Sequence, residues 1–167
     1  VEYDTSPEHA INNAGNDFDM LLLTFSEAVS LNSINLGWID GKNNAERLKR
    51  SDISILAGTS ETFASPLNQS WQSLVGNGWQ LEGNYNGVGL GNETVNDVGI
   101  IASKYWLVGA YNSTLGSAIS GNDTYNDSFK LSSVSVEKAI VKVPEPSALF
   151  LFGLGLLGLV AVRRRAA

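Results

Sequence analysis

The chain has 167 residues, which sets the expectation of one main domain, and it is charge-poor: 17% charged against 43% hydrophobic, with seventeen acids and eleven bases giving −6. An acidic balance without a basic stripe argues against nucleic acid as a partner. The absence of cysteine excludes a disulfide scaffold, a thiolate zinc site and a cysteine nucleophile. The charge is unevenly placed: residues 1–146 carry −9, whereas the stretch from Ser147 onward holds three arginines and no acid. The division expected from this is a body over 1–142 and a separate tail over 143–167.

The first residues, Val-Glu-Tyr-Asp, show no Met, no basic n-region and no apolar h-region. Given the tail described below, we expect an exported precursor whose signal peptide and part of a first strand precede Val1. His9 is the sole histidine. It stands in no recognisable nucleophile, phosphate or metal motif, and is read as a histidine near the first strand rather than as part of a triad. Asn12, Asn16, Asp17 and Asp19 cluster hard oxygen donors beside a strand and are candidate calcium ligands, the alternative being a solvated Asn/Asp turn. The spacing does not fit an EF-hand loop. No other cofactor is implied. Asp17, Asp19 and Glu82 are the acids from which a glycosidase pair could be drawn.

Strands are expected at Met20–Phe25, Val29–Trp38, Ile53–Ala57, Trp79–Tyr85, Gly99–Tyr111 and Phe129–Val141, short apolar stretches set among Gly, Asn and Ser. Alternation slips within two of them. Val29 and Leu31 share one parity and Ile34, Leu36 and Trp38 the other; Phe129 and Leu131 give way to Val134 and Val136. Such slips predict β-bulges, since an uncompensated one would turn the apolar set to solvent. The fold class is therefore mainly β, an antiparallel sandwich or jelly-roll-like body. Its expected core includes Leu21, Leu23, Phe25, Ile34, Leu36, Trp38, Ile55, Trp106, Val108, Leu131 and Val136. One short helix is read from Ser65 as cap, Pro66 in the first turn, a Leu67, Trp71, Leu74, Val75 stripe and Gly76 as stop. A polar turn is read at Asn44–Arg50.

Trp71, Trp79 and Tyr85 lie among Asn and Gln and are candidate glycan contacts, with ordinary packing as the alternative. Asn-x-Ser/Thr triplets at Asn68, Asn92, Asn112, Asn122 and Asn126 are no more than chance supplies in a chain with sixteen asparagines.

The tail reads Val-Pro-Glu-Pro-Ser, a run from Ala148 to Val162 without a polar side chain, then Arg163, Arg164 and Arg165. As a helix the run is about 22 Å long, enough with snorkelling flanks to span a thin bilayer. The arginines would hold the C-terminus in the cytoplasm by the positive-inside rule, leaving the body outside. Pro144 and Pro146 keep the intervening Glu145 in extended chain at the membrane face.

Pro144-Glu145-Pro146 before a short Leu/Gly/Phe-rich span and a terminal arginine cluster resembles the PEP-CTERM sorting domain of bacterial exosortase substrates. That resemblance implies recognition of the three residues by a membrane-embedded exosortase, cleavage nearby, and release or re-anchoring of the body at the cell surface. The stretches His9–Asn13, Asp19–Trp38, Ser103–Asn112 and Asn126–Val136 are similar to exosortase-dependent surface proteins with such a tail. The expected function is a non-enzymatic structural or adhesive protein of the envelope or extracellular matrix. A surface-tethered module binding polysaccharide is the alternative, and a surface hydrolase the third.

Overall fold

The computed structural model describes residues 9–14, 18–39, 50–59, 63–95, 101–116 and 127–138. Seven strands are present among them: β1 (Ile11–Asn12), β2 (Met20–Ile39), β3 (Arg50–Gly58), β4 (Trp79–Gly89), β5 (Gly91–Thr94), β6 (Ser103–Ala110) and β7 (Ser128–Lys138). All pair antiparallel in one hydrogen-bonded sheet of order β1-β7-β2-β6-β3-β4, with β5 also on β2. The mainly-β, antiparallel expectation holds. Residues 44–49 of the expected Asn44–Arg50 turn, Gly99–Ile100, Ala139–Val141 and the entire 143–167 tail lie outside the described residues. No helix among the described residues is long and apolar enough to cross a membrane.

The organising element is β2. Its first half pairs with β6 (Met20 opposite Gly109, Leu23 opposite Trp106) and its second half with β7 (Val29 opposite Lys138, Ile39 opposite Phe129). The two stretches expected as separate strands are thus one strand of 20 residues. No Gly or Pro separates them, so nothing in Ser26-Glu27-Ala28 enforces a turn. The register shifts between Thr24 and Val29 and again between Leu31 and Ser33. The second shift makes Asn32 an extra residue, at the parity slip read from sequence. Its carbonyl is turned to accept from Val95 N at 2.8 Å.

The second bulge keeps Val29 and Leu31 on the same side of the sheet as Ile34 and Leu36. Val29, Leu31, Ile34, Leu36 and Ile39 of β2 form one buried cluster with Ile53, Ile55 and Ala57 of β3, Trp106, Val108 and Ala110 of β6, and Phe129 of β7. The apolar face is enclosed because the sheet rolls upon it. Asp19 N donates to Asn12 O at 2.9 Å, bringing the start of β2 against β1 at the far edge of the order.

Strands β3 and β6 are buried on both faces. Behind them Leu56 and Leu107 meet Trp71, Leu74, Trp79 and Leu115. This second cluster is closed by the segment before β4. There the helix is shorter than expected: α1 covers only Trp71–Leu74, capped by Ser70, whose Oγ accepts from Ser73 N at 3.2 Å. Asn68 holds a positive φ of 60° and Leu67 is 76% exposed, so Ser65–Gln69 is a turn and Leu67 is not part of an apolar stripe. Leu21 and Val136, expected in the core, are exposed, and Trp38 is only half-buried, with the Lys130 ammonium 5.6 Å from its ring.

Candidate functional site

One end of the rolled sheet is held by short polar side chains. Asn12 donates from its backbone N and from Nδ2 to Asp19 Oδ2 (3.1 and 2.9 Å), and its Oδ1 accepts from Ala14 N at 3.0 Å. Asn13 reaches across the chain: Nδ2 donates to Tyr111 O at 2.9 Å and to Asp127 Oδ2 at 3.2 Å, while its Oδ1 accepts from Asp127 N at 2.7 Å. Asp127 Oδ1 accepts from Asp52 N at 2.7 Å and Ser51 Oγ at 3.4 Å. Asp52 Oδ1 in turn accepts from Gly87 N at 2.6 Å, in a bulge where Gly87 has φ 64°. Asp52 and Asp127 are buried, and a buried carboxylate is tolerable only with such donors around it.

Each of these carboxylates braces backbone and amide N–H groups. Among the described residues no group of three or more His, Cys, Asp or Glu could hold a metal ion. Of the calcium candidates, Asn12 and Asp19 are joined to one another; Asn16 and Asp17 lie outside the described residues, as does Asp17 of the glycosidase set. The brace itself had no sequence signal, because Asp52 and Asp127 are 75 residues apart and sit in ordinary strand-end contexts.

Of the two readings of the aromatic candidates, both tryptophans take the packing one. Trp71 is 5% and Trp79 1% exposed. Their indole N–H groups donate inward, to Phe18 O at 3.1 Å and Ala64 O at 3.0 Å. Both rings are walls of the second cluster and present no face on which a sugar could stack. Tyr85 is half-buried, packs on the inner cluster and donates its hydroxyl to Glu82 Oε2 at 2.6 Å. The three do not form one platform. His9 is exposed, with φ 66°. Asn112 is buried and spends its Oδ1 capping the 3₁₀ turn Ser113–Leu115, accepting from Thr114 N and Oγ1. Asn68 is exposed, and Asn122 and Asn126 lie outside the described residues.

At the opposite end, the strand termini come together in a rim. Val29 pairs with both Ser103 and Lys138. Ser103 Oγ donates to Gly58 O at 2.7 Å, and Thr59 N donates to Gly78 O at 2.9 Å. Lys138 Nζ meets Glu27 Oε1 at 2.6 Å in solvent.

The residues that follow carry the functional information. Residues 142–165 match the PEP-CTERM protein-sorting motif. The matched stretch contains Pro144, Glu145, Pro146, the Ala148–Val162 run and Arg163–Arg165, all outside the described residues. No curated protein and no solved structure matches the chain significantly. The fold and the motif together define a β-rich body carrying a C-terminal sorting signal. The motif supports an exported, cell-envelope-associated protein processed by an exosortase.

Proposed function

We propose that this chain is a bacterial surface or extracellular-matrix protein whose β body has a structural or adhesive role and no catalytic one. The observation that carries the reading is the sorting motif at 142–165, which follows closely on the last strand of the β body. In the precursor the Ala148–Val162 run spans the membrane as a helix, Arg163–Arg165 stay in the cytoplasm, and the body stands outside as a sandwich-like ectodomain. Processing beside Pro144-Glu145-Pro146 then removes the tail. The reading needs no cofactor. The buried state of Trp71 and Trp79 favours a structural or adhesive body over a polysaccharide-binding module, since sugar recognition relies on an exposed ring face.

Intact-mass spectrometry of the protein recovered from the cell envelope tests it. The expected mass lacks Arg163–Arg165. A retained full C-terminus would replace processing with a permanent anchor.

A further inference from the structure

We propose that the rim formed by Thr59, Ala102, Glu27 and Lys138 is a second contact surface for the membrane-embedded enzyme that processes the tail. The inference rests on the sorting reading above and adds to it a role for the folded body.

The argument is one of reach. Lys138 is paired with Val29 at the end of β7, and the motif match begins at residue 142. Four Cα steps separate them, which even fully extended cover about 14 Å. Pro144, Glu145 and Pro146 themselves lie six to eight Cα steps from Lys138, at most about 21–28 Å, so an enzyme that grips them has this end of the sheet as the nearest part of the folded body. The braced end is farther by the length of β6, which from Ser103 to Ala110 runs about 23 Å.

The rim is open to a neighbour. Thr59 and Ala102 are exposed beside the joined termini of β3 and β6, and the Glu27 and Lys138 side chains are 52% and 78% exposed. A protein surface fits better than lipid headgroups. Lys138 is already answered by Glu27, and residues 1–146 carry −9, a charge that anionic headgroups repel.

The test uses the full-length precursor in cells that process it, with a photo-crosslinking residue at Thr59 or Ala102 and, at the braced end, at Ser113. Adducts with the processing enzyme are expected from Thr59 and Ala102 at several times the yield from Ser113. An insert of about twelve Gly/Ser residues after Lys138 adds roughly 20 Å of tether and should abolish the rim adducts. Equal yields from all three positions, adducts with lipid alone, or rim adducts that survive the insert would each overturn the proposal. A fault in the sorting reading shows separately: Pro144→Ala with Pro146→Ala would then leave processing intact, whatever the crosslinks do. Thermal unfolding of each variant confirms that its body is folded.

Discussion

At one end of the sheet, Asp52 and Asp127 are buried and receive hydrogen bonds from chain segments far apart in sequence; at the other, Glu27 and Lys138 pair in open solvent. Both ends use carboxylates, but to different effect. A buried carboxylate with several donors cannot be lost without stranding those donors, whereas an exposed ion pair exchanges its partner for water at little cost. The braced end is thus held by polar contacts and the rim by the apolar cluster behind it, where Trp79 lies opposite Gly58.

The sharpest way to break this contrast is at the rim's own apolar support. Trp79→Ala empties a fully buried site and is expected to cost about 4 kcal/mol, read as a lowered urea midpoint with unchanged slope. A small effect would mean that the segment around α1 holds without it. Next comes Asp127→Ala, which leaves Asp52 N and Ser51 Oγ without their acceptor and Asn13 Nδ2 with Tyr111 O alone. Its expected cost is about 3 kcal/mol, with amide exchange at Asp52 accelerated before global unfolding. Gly109→Ala probes the same end by volume. An added Cβ would stand 2.5 Å from Trp71 Cη2 and 2.6 Å from Asp19 O, and the backbone oxygen cannot swing away, so about 2 kcal/mol is expected with a perturbed tryptophan fluorescence. The smallest effect belongs to the exposed pair: Glu27→Gln should change stability by less than about 0.5 kcal/mol, and high salt should erase the difference. A larger loss there would end the distinction between the two ends.

Much of the strand pattern could be read from the chain, because burial on a rolled sheet leaves a period-two record. The slip from Leu31 to Ile34 marks the bulge at Asn32, whereas the slip from Leu131 to Val134 marks none, the register running unshifted from Lys130 to Ser135. What escaped are features set by distant partners. The fusion of Met20–Phe25 with Val29–Trp38 depends on β6 and β7 flanking β2 on opposite sides at Val29. Trp71 and Trp79 look like exposed aromatics among polar neighbours, yet the backs of β3 and β6 claim both rings. The helix read from Ser65 fails at Asn68, whose left-handed backbone no local pattern announces. Of the candidate sites, only the sorting motif was legible in full, because a sorting signal is read as a linear string and needs no fold to assemble it.

The pairing of β7 also sets how the body answers a pull. A load directed along β7 from its C-terminal side enters at Lys138, the end of that strand. Eight register pairs with β2, from Val29–Lys138 to Ile39–Phe129, then bear the force together in shear instead of opening one after another. The strand nearest the attachment point is also the one laid along the longest of the described strands, which ties that point to the core-forming element of the sheet.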